Sequence, residues 1–112
     1  MSRLTSRFLV DLLLRRAAAD GGFAAVLAAG DERAGAILVL CRDRSAPGPL
    51  LERRFAPSGG YVWDAVGPED LADSQAQSAY VERRRSADPD LWVIELDIAD
   101  APRLVAEWGA LA

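Results

Sequence analysis

The stretch Leu91-Trp92-Val93-Ile94-Glu95-Leu96-Asp97-Ile98 is the most clearly patterned segment of the chain, and it decides the fold class. Its aromatic and β-branched residues favour a strand. In its second half apolar and acidic residues alternate, so Glu95 and Asp97 lie on one face and the apolar side chains on the other. Asp88-Pro89-Asp90 precedes it and ends any helix before it, because the residue before a proline avoids the helical basin. We therefore predict a strand over residues 91–98.

Three segments outside this strand have helical periodicity. The first segment, residues 5–20, is followed by Gly21-Gly22, which suits a left-handed helix cap. Residues 71–86 follow a proline and acidic residues, which suit a helix start. A short terminal helix follows Asp100, a potential N-cap. The residues expected to line the contact faces are Phe8, Leu9, Leu12 and Leu13 in the first helix, Ala72, Ala76, Ala79, Tyr80 and Arg83 in the second, and Leu104, Val105, Trp108 and Leu111 in the third.

Four shorter segments lie between the first two predicted helices, and all but the rather polar residues 50–55 are mainly apolar. They are predicted as strands over residues 23–29, 36–42, 50–55 and 61–66. A polar turn joins the first two runs, which predicts an antiparallel hairpin. Residues 45–49 contain two prolines that lack an amide proton, so we predict an exposed loop there.

The order α-β-β-β-β-α-β, with a short C-terminal helix added, predicts an α+β fold in a single domain over residues 1–112. We expect a mostly antiparallel five-stranded sheet with the two main helices packed on one face. The strand that starts at Leu91 should pair centrally with the strand that starts at Ala36, since both are apolar enough to be covered. The expected core includes Leu12, Ile37, Val39, Val93 and Leu96.

The composition excludes many kinds of active site. All 13 basic residues are arginine, and the chain has no histidine and no lysine. Without imidazole there is no Ser-His-Asp or Cys-His nucleophile and no common zinc site. Without lysine there is no Schiff base and no Walker-type phosphate loop. A net charge of −4 also argues against a sequence-independent grip on nucleic acid. We expect no cofactor, no metal and no catalytic residue.

Cysteine usage and hydropathy bear on the compartment. Cys41 is the single cysteine, so no disulfide can form within the chain, and its apolar surroundings indicate a buried side chain. The N-terminal apolar run is short and interrupted by Asp11, which argues against a membrane span or a signal peptide. We therefore expect a cytoplasmic protein with no membrane partner.

Several stretches together resemble a family of small bacterial proteins catalogued as a domain of unknown function. These stretches are Leu13-Leu14-Arg15-Arg16-Ala17, Gly30-Asp31 with Ala34-Gly35-Ala36-Ile37-Leu38, Arg53-Arg54-Phe55, residues 80–85 and Asp88-Pro89-Asp90-Leu91-Trp92-Val93-Ile94-Glu95. The resemblance spans nearly the whole chain. It implies no established activity, cofactor or catalytic residue.

Arginine and one tryptophan supply the candidate binding residues. The planar guanidinium suits phosphate and carboxylate groups, and Trp and Arg are enriched at binding hot spots. The candidates are Arg15, Arg16, Arg53, Arg54, Arg83, Arg84, Arg85 and Trp63. The simpler interpretation of the arginines is a solvated surface paired with the more numerous carboxylates.

Acidic residues form a second candidate set, made of Asp31, Glu32, Asp43, Asp64, Glu95 and Asp97. Glu95 and Asp97 project from one face of a strand, so they could bind a divalent cation if a third carboxylate came from a neighbouring strand. The simpler interpretation is the solvated face of a half-buried sheet.

The leading hypothesis is a non-enzymatic interaction domain that binds a protein partner or itself. Its surface would be an arginine-bearing face formed by the two main helices and a sheet edge. One alternative is a small metal-dependent phosphodiester hydrolase that uses Glu95, Asp97 and Asp64. The other alternative is nucleic-acid binding through the arginines, which the net negative charge of the chain opposes.

Overall fold

The computed structural model describes residues 5–55 and 57–109. Within them eight elements follow one another along the chain. They are α1 (Ser6–Ala19), β1 (Phe23–Ala28), β2 (Ile37–Asp43), β3 (Ala46–Phe55), β4 (Tyr61–Val66), α2 (Ser74–Ala87), β5 (Trp92–Asp97) and α3 (Ala101–Gly109). The predicted α+β class and element order are confirmed.

The five strands form one sheet in the order β1-β5-β2-β3-β4. β5 pairs in parallel with β2, which confirms the predicted central pairing, and all other neighbours are antiparallel. The sheet is therefore mixed. The predicted hairpin between residues 23–29 and 36–42 is wrong, because β5 lies between β1 and β2. The loop that leaves β1 is attached to the start of β5, where the Asp31 amide donates to the Asp90 carbonyl oxygen at 3.0 Å.

The helices cover both faces of the sheet, whereas we expected the two main helices on one face. Alternate residues of β2 point to opposite sides. Ile37 and Val39 belong to a core cluster that includes side chains of α1 and α3. Leu38 and Leu40 belong to a second cluster, against which Val81 of α2 packs. The central strands are apolar on both sides, so both faces need a cover.

The interior includes four of the five predicted core residues. Ile37, Val39, Val93 and Leu96 are buried, whereas Leu12 is only half-buried. The stripe of α1 that faces the sheet is rotated from the prediction. It includes Val10 and Ala17 in place of Phe8, which is 54% exposed. Leu111 lies outside the described residues.

The predicted loop at residues 45–49 is mostly strand. Ala46 and Pro47 pair with Asp43 and Arg42 of β2, after a register shift between Leu40 and Arg42. β4 pairs with β3 only from Leu50 onward. β3 therefore has an open edge over its first residues, where a missing amide proton is tolerated.

Candidate partner-binding site

The predicted arginine cluster does not form one surface. Arg15 and Arg16 are exposed on α1, and residues 83–85 belong to α2 on the opposite side of the sheet. Arg53 and Arg54 are neighbours on β3, so they point to opposite faces. The arginine-bearing face that would join the two main helices is therefore divided by the sheet.

Arg84 attaches α2 to the sheet. Its two terminal nitrogens donate to the two carboxylate oxygens of Glu52 at 2.5 and 2.9 Å, and one of them also donates to the Tyr80 hydroxyl at 3.0 Å. The hydrogen bonds to Glu52 raise the pKa of Arg84 above its already high value. A guanidinium held by a bidentate carboxylate has few donors left for a partner.

The remaining β3 and α2 candidates have local contacts. Arg54 donates to Asp64 on β4. The Arg53 guanidinium lies 4.2 Å from the centre of the Tyr61 ring, and Arg83 lies 5.9 Å from the ring of Tyr80.

Trp63 is half-buried and packs against the core cluster on the α1 and α3 side. Trp63, a candidate binding residue in the sequence, therefore lies on a packed side of the sheet. Its Nε1 is buried and has no hydrogen-bond partner among the described residues. Trp92, the first residue of the apolar strand β5, is buried.

The acidic candidates are dispersed and mostly engaged. Asp64 is on β4 while Glu95 and Asp97 are on β5, three strand spacings away, which is roughly 14 Å. Asp97 accepts from the Ser45 amide at 2.9 Å, and Glu95 lies 3.7 Å from Nε of Arg42. Among the described residues no group of three or more possible ligands could hold a metal ion. The carboxylates named for the hydrolase hypothesis therefore do not converge.

The sequence did not single out the outer strand β1 as a site. Its six residues, Phe23–Ala28, carry no charge. Three of its larger side chains are exposed: Phe23 (62%), Leu27 (51%) and Val26 (41%). Edge strands are normally protected by charges, prolines or covering elements, because their open backbone groups can pair with another chain. β1 lacks charge and proline, although a register shift interrupts its pairing between Val26 and Ala28.

An open cleft of about 220 Å³ lies between β1 and α2. Its apolar lining comes from Leu27, Ala28, Leu40, Val81 and Val93, and its polar lining from Arg42, Gln77, Ser78, Glu82 and Arg85. Gln77 is 2% exposed and fixes α2 to the sheet, since its side-chain nitrogen donates to the Gly48 carbonyl oxygen at 3.0 Å. The prediction of an alanine-lined face on α2 missed it, and Ala72 and Ala79 are exposed.

Comparison with known proteins matches residues 4–106 to the model of a family described as protein of unknown function DUF1491. This chain belongs to that family. Two similar solved structures are the crystal and NMR structures of a DUF1491 family protein from Caulobacter crescentus CB15. Both are 35% identical to the chain. The crystal structure has a TM-score of 0.76 with 85% of this chain and 88% of that chain covered. The NMR structure has a TM-score of 0.75, with 89% and 90% covered.

A third relative is protein Atu0922 from A. tumefaciens, whose solution structure is 31% identical with a TM-score of 0.73 and covers 92% of both chains. A search of the curated proteins finds no match. Among the described residues no helix has the length and hydropathy of a membrane span.

Two of the stretches that carry the resemblance to the DUF1491 family, residues 30–38 and 88–95, meet at one junction of the fold. The Asp31 amide donates to the Asp90 carbonyl oxygen, and the Trp92 amide donates to the Ala36 carbonyl oxygen at 2.8 Å. On the other side of the loop the Ser6 hydroxyl donates to the Gly35 carbonyl oxygen at 2.6 Å. These hydrogen bonds therefore hold α1, the loop after β1 and β5 together.

Proposed function

We propose that this DUF1491 protein is a non-enzymatic interaction domain that binds a segment of a partner protein as an added strand at β1. The observation that carries the proposal is the exposed, uncharged β1 edge with Phe23, Val26 and Leu27 on its surface. Strand addition is a common way to bind an extended peptide, because backbone hydrogen bonds supply affinity and neighbouring pockets supply specificity.

The other outer strand, β4, differs from β1 in a way that supports this choice. Asp64 in the middle of β4 forms an ion pair with Arg54, and Val62 is its exposed large apolar residue, at 36%. A charge in an edge strand opposes pairing with another chain. The contrast favours β1 as the binding edge and makes β4 a matched control.

The experiment selects peptides from a random display library on the immobilised full chain and measures their affinities by fluorescence anisotropy. Phe23→Lys with Leu27→Lys places two charges on β1 at exposed positions, where the cost in stability should be within about 0.5 kcal/mol. We expect the double variant to lose at least tenfold in affinity. Val62→Lys on β4 should bind like the parent chain.

Hydrogen exchange locates the bound peptide. Amides of β1 should exchange more slowly with peptide present, because they gain hydrogen bonds to the added strand. Peptides that bind the double β1 variant as tightly as the parent, or that slow exchange in β4 and leave β1 unchanged, would contradict the proposal.

A further inference from the structure

The cleft next to β1 offers room for one side chain of a bound segment. On the α2 side of the sheet β1 presents Phe23 opposite Asp97, and two small residues, Ala25 opposite Glu95 and Ala28 opposite Val93. Leu27 lines the cleft beside Ala28. A side chain from a strand added outside β1 can therefore extend over Ala28 toward Val81 and Val93, which line the cleft. The cleft volume of about 220 Å³ is below the range of roughly 300–1,000 Å³ of pockets for drug-sized ligands. It suits one apolar side chain better than a whole small molecule.

Arg85 supplies a positive group at one end of this cleft. It lines the cleft together with Glu82, and it also lines a second hollow with Ala28, Asp88 and Leu91. Its ion pair with Glu82 is loose, at 3.6 Å, and both side chains are about half exposed or more. In contrast, Arg42 donates to its neighbour's backbone, the Cys41 carbonyl oxygen, at 3.0 Å. Arg85 is therefore the cation of this cleft best placed to accept a new carboxylate.

The charges along β1 also have a direction. At the other end of the strand the carboxylate-bearing residues Asp97 and Glu95 lie opposite Phe23 and Ala25. Asp97 already accepts from the Ser45 amide and Glu95 already pairs with Arg42, so the attraction of Arg85 decides where a negative group on the bound segment is favoured.

We infer that the cleft binds the C-terminal residue of a partner protein. The segment runs parallel to β1, its last side chain is aliphatic and lies against Val81 and Val93, and its terminal carboxylate pairs with Arg85. Capture of a C-terminal carboxylate beside an added strand combines two established modes of peptide recognition. The inference rests on the proposed function, because the segment reaches the cleft only when it pairs with β1.

The test compares each peptide with and without its terminal charge. Random heptapeptides displayed with free C-termini are selected on the full chain, and the selected sequences are synthesised as free acids and as C-terminal amides. We expect the selected peptides to end in Val, Leu, Ile or Met. The free acid should bind at least tenfold more tightly than the amide, because a charge-assisted bidentate contact is lost in the amide.

Two variants of the same helix assign the carboxylate contact. In Arg85→Gln the acid and the amide should bind alike, whereas in Arg83→Gln, whose guanidinium is near the Tyr80 ring, the tenfold difference should persist. Both positions are exposed, so circular dichroism of the two variants should match the parent chain.

The possible outcomes separate the two proposals. Acid and amide that bind equally, yet both weaken on Phe23→Lys alone, a β1 position outside the cleft lining, would overturn the C-terminal inference and leave strand addition standing. A peptide affinity that the β1 substitutions leave unchanged would overturn both proposals. A dimer in light scattering that the β1 substitutions dissociate would make a second copy the occupant, and it too would overturn the inference.

Discussion

The indole Nε1 of Trp92 donates a hydrogen bond of 2.7 Å to the carbonyl oxygen of Asp31, 61 positions earlier in the chain. The bond joins the start of β5 to the loop that leaves β1. It helps to hold β5 between β1 and β2, since the same loop must pass around the end of β5 before it enters β2.

Replacing Trp92 with Phe should therefore cost more than an equivalent change elsewhere. Trp92→Phe leaves the Asp31 carbonyl without its indole donor, and Trp63→Phe removes a buried N–H that donates no hydrogen bond within the described residues. We expect the free energy of unfolding to fall by about 1 kcal/mol more in Trp92→Phe than in Trp63→Phe. Urea denaturation measures both, and equal losses would contradict a contribution from this bond.

Gly35 should tolerate no side chain, for a steric reason. A Cβ at Gly35 would lie 2.1 Å from the Asp90 carbonyl oxygen, which already accepts from the Asp31 amide. Because a backbone atom cannot move aside cheaply, we expect Gly35→Ala to lower the free energy of unfolding by about 3 kcal/mol. Gly59→Ala is the comparison: its Cβ meets open space, and its φ of +91° costs about 1 kcal/mol. A Gly35→Ala protein as stable as Gly59→Ala would show that the loop relaxes.

Local patterns predicted the elements along the chain better than the order of the strands in the sheet. The bounds of β4, residues 61–66, follow from the turn residues that flank it, and the pairing of β5 with β2 follows from two apolar runs that need cover on both faces. The β1–β2 hairpin prediction failed because short separation in sequence favours a hairpin, whereas the loop after β1 is held by Asp90 and Trp92. Contacts between residues so far apart in the sequence leave no periodic pattern of apolar residues that could predict them.

The candidate site was hidden for the same reason. Whether Phe23–Ala28 is an edge or a central strand depends on strand order, and an uncharged apolar run fits both positions. Likewise Arg84 looked available for a partner, because its carboxylate, Glu52, lies 32 positions away on another element.

The Arg84–Glu52 pair should contribute more to stability than an exposed pair does. Each side chain is about one quarter exposed, so removal of one partner leaves a partly buried charge. We expect Arg84→Gln to cost about 2 kcal/mol, and Arg54→Gln, whose pair with Asp64 is roughly half exposed, about 0.5 kcal/mol. A double-mutant cycle with Glu52→Gln measures the coupling, and a coupling near zero would mean that packing alone attaches α2.

The turn between β2 and β3 should be open to stabilisation. Arg44 and Ser45 both have positive φ, 50° and 67°, and they form the two-residue connection between the paired residues Asp43 and Ala46. Such turns favour Asn-Gly. Ser45 contacts Asp97 through its backbone amide, which glycine retains. Arg44→Asn with Ser45→Gly should therefore add about 1 kcal/mol. Thermal unfolding measures the gain, and Arg103→Asn in α3 serves as an unrelated surface substitution; a lower melting temperature in the turn variant would contradict the expectation.

Cys41 should make stability depend on pH in the alkaline range. Burial raises the pKa of its thiol from 9.0 to about 12, and the nearby Arg42 charge offsets only part of that rise. Between these two values the unfolded chain releases the thiol proton while the folded chain retains it. The unfolded state then binds fewer protons, so the free energy of unfolding falls as the pH rises from about 9 toward 12.

Cys41→Ala lacks the group, and its unfolding free energy, measured in urea from pH 8 to pH 10.5, should decline less steeply than that of the parent chain. Parallel curves would mean that the thiol ionises equally in both states, in which case the folded protein would also react with iodoacetamide at pH 9, where we expect the buried thiol to stay unmodified.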